Sequence, residues 1–228
     1  MTQPAGTRPQ PAADRARRPA GTRAPAQARV PQQERSRLTR QRLLEAAIEC
    51  LAEHGWAGAT VALVAERAGV SRGAAQHHFR TREELTIAAV RQVAAVRGEE
   101  MRKQTADLPK GRRRTEEALN LLAEHFTSPV FKAALQLWVA AATDPQLRAV
   151  VGPLEAEVGR QTHRCAVDLL GADERQRSVR EAVQATLDLL RGLGLASLLS
   201  DDTARRAGLL REWARYLDGI LGAPAPPD

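Results

Sequence analysis

The sequence predicts an all-α fold of about nine helices, in which an N-terminal three-helix domain of helix-turn-helix type precedes a larger C-terminal helical bundle. Three observations support this prediction. Apolar residues recur at helical spacing through most of the chain, cap residues precede these segments, and no β-branched run typical of a strand occurs. With three Phe, three Trp and one Tyr among 228 residues, the core is expected to consist mostly of Leu, Val and Ala.

Composition divides the chain into four segments. Residues 1–34 hold six of the thirteen prolines, six arginines and hardly any large apolar side chain, which predicts a disordered basic tail. Residues 35–92 are expected to form the helix-turn-helix domain and residues 93–222 the larger helical domain. Residues 223–228 are rich in Pro and Ala and are expected to be a second disordered tail.

The first domain is expected to begin with a helix over residues 37–54, which ends at Gly55. Its apolar residues repeat at helical spacing and are expected to pack on the following short helices and on Trp56. The core predicted from this pattern consists of Leu44, Ala47, Ile48 and Leu51 on the first helix and Val64, Ala68, Val70 and Phe79 beyond it.

A tight turn joins two short helices in the next part of the chain. Thr60 is a candidate N-cap of the first, whose apolar positions recur at i, i+3, i+4 and i+7. Gly69 is placed to end that helix in the left-handed conformation, and Ser71 to cap a polar helix over residues 72–78. Residues 81–84 then match the S/T-x-x-E capping box of another helix. This order is that of a helix-turn-helix, whose second helix lies in a DNA major groove.

Residues 37–92 resemble the DNA-binding domain of tetracycline-repressor-like (TetR family) transcriptional regulators. The pattern T-V-x-x-V-A-x-x-A-G-V-S-x-G at residues 60–73 and the pattern x-H-F-x-x-R-x-x-L at residues 77–85 define the resemblance. Two positions depart from it, because family members usually have Tyr where this chain has Gln76 and often a larger residue in place of Ala75. The fold prediction is unaffected, but no base preference transfers from a relative.

A second motif overlaps the helix-turn-helix. Residues 69–73 satisfy G-x-S-x-G, the nucleophile-elbow pattern of serine hydrolases. That elbow needs a buried strand before the serine, whereas an alanine-rich amphipathic helix is predicted before Ser71. A helix cap is therefore the preferred interpretation of Ser71, and no catalytic residue is predicted.

The net charge of +7 is unevenly distributed along the chain. Residues 1–34 contain six Arg against two acidic residues, and residues 35–91 contain nine Arg against six Glu. Basic and acidic residues balance over residues 92–228. The positive excess coincides with the helix-turn-helix and indicates a polyanionic partner. The tail arginines are compatible either with an arm along DNA or with a passive tail.

The second short helix contains the candidate base readers. Arg72 can bond guanine O6 and N7, and Gln76 can bond adenine N6 and N7. Ala74 is placed to contact a thymine methyl group. Gly73 has no side chain, so that the backbone can approach the DNA closely.

Five further residues are expected to contact phosphates. Thr60 and Ser71 lie at predicted helix N-termini, where hydroxyl, backbone N–H and helix dipole act together. The resemblance implies a phosphate contact for Arg82, which occupies the position of the family's usual lysine, and His77 and His78 are expected to assist. Neighbouring helix positions point about 100° apart, so the two histidines are not expected to bind one metal ion.

Six more helices are predicted from cap residues and from breaks such as residues 108–111. Gly152-Pro153 is expected to kink or interrupt one of them. Asp173, with Gln176 three residues on, is expected to cap the helix that follows. The helices are expected over residues 82–102 and 115–126, from residue 129 onward, and over residues 145–170, 174–199 and 202–221.

The resemblance implies that the last two helices dock on a second copy of the chain as a four-helix bundle. Both helices have long apolar stripes, which in a monomer would be plain core. A homodimer suits a palindromic operator, because one helix-turn-helix reads only a few base pairs. The residues expected in this interface are Val183, Leu187, Leu190, Gly194, Leu210, Trp213 and Leu217.

The resemblance also implies a ligand pocket between the helices of the second domain. Such a pocket would be lined by Leu, Val and Ala with a few larger groups, which favours a small and largely apolar effector. The alternative is that the same residues are simply core. The candidates are Phe126, Phe131, Leu135 and Trp138, with Gln136 and His163 as polar contacts.

The remaining residues with reactive or ligating side chains are interpreted as structural. Cys50 and Cys165 are expected to be reduced thiols, with redox sensing as the minor alternative. His125 and His163 are interpreted as surface or satisfied core residues, with a ligand role as the minor alternative. No metal or cofactor is expected, and no run of 18 apolar residues predicts a membrane span.

The function expected from these observations is that of a cytoplasmic, nucleoid-associated bacterial repressor that an effector releases from double-stranded DNA. Two alternatives remain open. One is a constitutive DNA-binding protein without an effector. The other is an enzyme with a fortuitous helix-turn-helix, for which the sequence offers no catalytic cluster.

Overall fold

The computed structural model describes residues 32–109 and 112–222, and all regular structure in these residues is helical. The all-α prediction is therefore confirmed. The predicted tails at residues 1–31 and 223–228 lie outside the described residues. The helices are α1 (Gln32–Gly58), α2 (Val61–Arg67), α3 (Arg72–His78), α4 (Arg82–Thr105), α5 (Arg112–Thr127), α6 (Pro129–Thr143), α7 (Pro145–Leu170), α8 (Arg177–Ala196) and α9 (Thr203–Leu221).

The predicted caps of the helix-turn-helix are present. The side-chain oxygens of Thr60, Ser71 and Thr81 each accept a hydrogen bond from the backbone N–H three residues on, at 3.2, 3.1 and 3.1 Å. Gly69 lies between α2 and α3 with φ of 65°, in the left-handed region that the turn requires. These local bonds fix where α2, α3 and α4 begin.

Helix α1 is longer than predicted and changes direction near its end. It begins at Gln32, inside the segment predicted to be a tail. Gly55 has φ of 63° and ψ of −176°, so regular helix stops there as predicted, although one more turn follows to Gly58. A Cβ built on Gly55 would lie 3.1 Å from Oε1 of Gln136, which brings this bend against α6.

Three details of the C-terminal helices differ from the predictions. Helix α7 continues through Pro153 without interruption, because buried Val151 and Leu154 hold it in the core on both sides of the proline. Asp173 does not cap α8, since its carboxylate accepts hydrogen bonds from the backbone and side chain of Arg175 instead. Helix α8 starts at Arg177 and ends at Ala196, three residues earlier than predicted.

Two hydrophobic clusters form the core. The first joins α1 to α4 with the buried face of α6 and the first half of α7. The second joins α5, α8 and α9 with the second half of α7. Trp138 on α6 packs against both clusters, so the N-terminal unit of α1 to α4, here called the head, is continuous in packing with the rest of the described chain. No described helix is long and apolar enough to cross a membrane.

Candidate nucleic-acid interface and ligand cavity

Helix α3 presents the predicted base readers to solvent. Arg72, Gly73 and Gln76 are exposed, and a Cβ on Gly73 would meet no atom within 4 Å. Ala75 and Phe79 face the opposite way and are buried in the core of the head. Ala75, where relatives often have a larger residue, therefore lies in the core and not on the exposed side of α3.

The remaining α3 candidates lie on or beside this surface. Ala74 is half-buried, His77 is exposed and His78 is half-buried, with the two imidazole centroids 5.7 Å apart. Burial lowers the pKa of His78, and the neighbouring His77 and Arg40 lower it further. His78 is therefore neutral at pH 7 and can contact a phosphate only as a neutral donor.

Thr60 and Ser71 are exposed at the N-termini of α2 and α3. Each hydroxyl already accepts a bond from its own helix, which leaves its O–H free to donate. The unpaired backbone N–H groups of both first turns lie beside these hydroxyls, so each terminus offers several donors to one phosphate.

Arg82 is held by the end of α1. Its Nη1 donates to the Trp56 carbonyl oxygen at 2.9 Å, and its guanidinium carbon lies 3.8 Å from the centre of the Trp56 ring. If Arg82 binds a phosphate, it must do so through the guanidinium N–H groups that are not bonded to Trp56. The sequence predicts Trp56 in the core of the head but gives no sign of its contact with Arg82.

Two further arginines modify the charge around α3. Arg67 of α2 pairs with Glu53 at 2.7 Å, which neutralises it locally. Arg40 of α1 lies 5.2 Å over the ring of Phe79, the residue that caps the C-terminal end of α3. Arg40 is thus a cation beside α3 that the sequence analysis did not single out.

Comparison with known proteins agrees with this geometry. The model of the bacterial regulatory proteins of the tetR family matches residues 43–89, from α1 into α4. The HTH-type transcriptional regulator Rv2912c of Mycobacterium tuberculosis is 33% identical over 142 residues, which cover 62% of this chain and 73% of that protein. This chain belongs to the TetR family. It is a transcriptional regulator with a DNA-binding role.

Other relatives are similar to this chain over most of its length, beyond the residues that the family model matches. The regulator BetI of Paraburkholderia phytofirmans is 29% identical over 82% of this chain and 95% of its own. A solved TetR-family structure from Streptomyces coelicolor is 26% identical, with a TM-score of 0.56 over 78% of this chain and 97% of its own. The multidrug binding protein EbrR, solved with imidazole, is 25% identical, with a TM-score of 0.55 over 83% of this chain and 98% of its own.

The stripes predicted to form a dimer interface are buried within this regulator. Val183, Leu190 and Leu217 are fully inaccessible, and Leu187 and Leu210 are nearly so. The Trp213 indole donates to Thr186 Oγ1 at 2.9 Å, and Gly194 packs against Phe131. In this single chain the apolar face of each helix is thus covered by its own chain, with Trp213 only half-buried, and an interface at these residues stays a prediction.

A different face of α8 and α9 is exposed and apolar. The α8 residues repeat at spacings of four and three, which on a helix produces one continuous strip. Leu199 is 97% exposed and Leu195 54%. We call this the outer stripe; it consists of Ala185, Leu189, Gly192, Leu195, Ala196 and Leu199 at and beyond the end of α8, with Leu209 and Tyr216 on α9.

A cavity of about 40 Å³ lies between α4, α5, α6, α7 and α8. Three predicted pocket residues, Phe126, Phe131 and Trp138, line it. Phe131 and Trp138 share one face of α6, whereas Leu135, beside that face, and Gln136, on the exposed side of the helix, do not line the cavity. The full lining is Val90, Ala94, His125, Phe126, Val130, Phe131, Ala134, Trp138, Glu155, Val158, Gly159, Thr162 and Arg191.

Of the two histidines of the second domain, His163 has a polar partner and His125 lacks one. His163, a pocket candidate, lies outside the cavity and pairs through Nε2 with Glu174 Oε1 at 2.6 Å. His125, interpreted as a satisfied residue, lines the cavity, and its Nδ1 is buried without a hydrogen-bond partner. Burial, assisted by the charge of Arg97, lowers the pKa of His125 to about 4.

The two cysteines are buried and unpaired. Burial raises the pKa of each thiol, so both stay protonated and weakly nucleophilic at neutral pH. Within residues 32–109 and 112–222, no group of three His, Cys, Asp or Glu side chains is arranged to hold a metal ion.

Proposed function

We propose that this TetR-family regulator is a homodimeric repressor that binds a palindromic operator through α3 and releases it when a small, largely apolar effector enters the second domain. The main support is the α3 surface, where the exposed Arg72 and Gln76 stand on a helix whose other face is buried. An exposed polar helix with a capped N-terminus can enter a major groove without disturbing the core beneath it.

Base and phosphate contacts would be divided between two kinds of residue. Arg72 and Gln76 have the donors that match guanine and adenine edges. Thr60 and Ser71 offer helix N-termini to phosphates. The positive excess of residues 1–91 adds an attraction that does not depend on DNA sequence.

The outer stripe supports pairing with a second copy of the chain. An apolar strip that includes a nearly fully exposed leucine is costly in water, and two-fold pairing would bury it on both chains at once. Pairing would also place two α3 helices on one duplex and thereby double the number of bases read.

The effector part of the proposal is supported by the lining of the cavity. Phe126, Phe131 and Trp138 provide apolar surface, and His125, Glu155 and Thr162 provide polar groups. The structural neighbour EbrR is a multidrug binding protein solved with imidazole and with ethidium. Release would follow if the effector favours a spacing of the two heads that does not fit the operator.

A constitutive DNA-binding protein is the second candidate function. The observation that favours it is the size of the cavity, because about 40 Å³ is too small for a drug-sized molecule. Under this candidate the cavity is a packing defect and the second domain serves dimerisation alone.

The experiment that tests the DNA-binding part begins by selecting a preferred duplex from a random pool with the full chain. Arg72→Ala or Gln76→Ala should then weaken binding to that duplex by about 1–3 kcal/mol and relax the preference at one base pair. Arg82→Ala should weaken all duplexes alike and reduce the salt slope by about one unit.

The matched control is Arg113→Ala, which removes an exposed arginine from α5. It should leave both affinity and base preference unchanged. If Arg72→Ala and Gln76→Ala behave like this control, α3 is not the reading helix and the proposal fails.

A further inference from the structure

The cavity in its present form cannot hold an effector. About 40 Å³ is room for only a few water molecules, whereas a cavity known to bind benzene measures ~150 Å³. A ligand-bound state of this regulator therefore needs a side chain to move and join the cavity to other empty space.

His125 is the side chain that separates the cavity from such space. A second void, an open groove of about 280 Å³, lies between α4 and α5 and is lined by Met101 and Leu121 together with the exposed side chains of Arg97, Glu100, Gln104 and Glu124. His125 is the one residue that lines both voids. Displacement of its imidazole would open the cavity into this groove and enlarge the space available to a ligand.

His125 is also poorly satisfied where it stands. Its Nδ1 is buried without a partner, and a buried polar atom in this state costs about 1–3 kcal/mol. Such an atom gains from any ligand that supplies a hydrogen bond. The ring is therefore held by packing alone and not by polar contacts at Nδ1.

The protonation state of the ring determines which kind of ligand fits. The lowered pKa keeps the imidazole neutral at pH 7, with one proton for two nitrogens. Of the two ring nitrogens only Nδ1 is buried without a partner, and an N–H is costly to bury unpaired. The proton therefore belongs on Nε2, and Nδ1 is an acceptor that needs a donor.

We propose that His125 is the movable wall of the effector site and that the effector is a ring-sized apolar molecule with one hydrogen-bond donor, which Nδ1 of His125 accepts. This proposal rests on the proposed function, since it names the effector chemistry of that same site. The ligand would displace the imidazole towards the second void and occupy the joined space against Phe126 and Phe131.

The other polar groups of the cavity disfavour an acidic ligand. Glu155 lines the cavity as a solvent-exposed carboxylate and forms no ion pair within the described residues. Arg191, the only cation in the lining, is paired with Asp188 at 2.5 Å. A carboxylate would face an unpaired acid and an arginine already engaged, whereas an N–H or O–H donor would meet acceptors.

The test compares indole with 1-methylindole, which have the same apolar ring system but differ in the N–H donor. Calorimetric titration of the full chain should show indole binding roughly tenfold more tightly, since 1-methylindole leaves Nδ1 without a donor. His125→Phe keeps a ring of similar size and removes the acceptor. In that variant the two compounds should bind with equal affinity.

His54→Phe is the matched control, because His54 is an exposed histidine on α1 that does not line the cavity. It should keep the tenfold difference. Thermal unfolding of each variant verifies that it is folded. The proposal is overturned if the native chain does not bind indole, if it binds both compounds equally, or if His125→Phe still discriminates between them.

The same titrations separate this proposal from the proposed function. If indole binds with the expected discrimination but leaves affinity for the selected duplex unchanged, the site is correct and the effector mechanism is wrong. If the chain shows no preferred duplex while the indole result holds, the repressor proposal fails and the His125 site stands.

Discussion

At the scale of single residues, His125 links the stability of the fold to its cavity. The pKa of His125 in the folded chain is about 4, below its ordinary value of 6.5. Between these two pH values the unfolded chain binds a proton that the folded chain does not, so falling pH favours unfolding. The loss amounts to at most about 3 kcal/mol and is complete below the folded pKa.

We therefore expect His125→Phe to lose less stability than the native chain between pH 7 and pH 4.5. The measurement is urea unfolding of both proteins at equal concentration across this range. Other groups titrate identically in the two proteins, so the difference isolates His125. Parallel pH profiles would show that the imidazole is not kept neutral by burial.

Residue-level contacts were the part least accessible from the sequence. The caps at Thr60, Ser71 and Thr81 were predictable because each acts on a backbone group three residues away. The contact between Arg82 and Trp56 joins positions 26 residues apart and depends on the bend after α1. The missing partner of His125 depends on how α4, α5 and α6 pack, which local spacing does not reveal.

At the scale of elements, Gly194 sets how closely α8 approaches the junction of α5 and α6. A Cβ built on Gly194 would clash with the Phe126 carbonyl oxygen and would lie 2.9 Å from Cε1 of Phe131. The carbonyl is backbone and cannot rotate away. Small size, and not backbone freedom, is therefore what this position requires, because α8 is regular helix here.

Gly194→Ala should accordingly destabilise the fold by about 1–3 kcal/mol through overpacking. Gly208→Ala on α9 is the matched control, since a Cβ there meets no atom within 4 Å. The control should be neutral or stabilising by up to about 1 kcal/mol, because Ala is the better helix former. Denaturant unfolding measures both. Equal effects of the two changes would contradict the close packing of α8.

Element boundaries were largely predictable, but the surface that each helix face meets was not. Ser128-Pro129 and Asp144-Pro145 correctly marked the starts of α6 and α7 through local cap chemistry. Helix α8 is apolar on two faces, and periodicity alone did not show which face meets its own chain. The more strongly apolar face, which contains most of the predicted interface residues, packs in the core of its own chain.

At the scale of the whole molecule, α6 connects the two ends of the described chain. One face of α6 packs in the core of the DNA-binding head, where Gln136 meets the bend at Gly55. Another face lines the cavity through Phe131 and Trp138. A ligand that moves α6 would therefore act directly on the position of the head.

Pairing of two chains gives the prediction that belongs to this scale. Leu195→Glu combined with Leu199→Glu should shift the protein from dimer to monomer, because charges would face each other across the paired outer stripes. Both side chains are exposed, so the monomer should stay folded. Light scattering after size-exclusion chromatography measures the mass.

Val139→Glu is the control for this change, since Val139 is 62% exposed on α6 and lies outside the outer stripe. It should remain dimeric. A native chain that is monomeric at micromolar concentration, or a double variant that stays dimeric, would mean that the outer stripe does not pair two copies.

The central claim is that two copies of α3 read one palindromic DNA site. The most direct measurement is fluorescence anisotropy of the full chain on the selected duplex and on a scrambled duplex of equal length and composition, with stoichiometry from sedimentation. The account predicts two chains per selected duplex and affinity at least ~10³-fold above the scrambled duplex at physiological salt. Equal affinity for both duplexes, or a single chain per selected site, would contradict it.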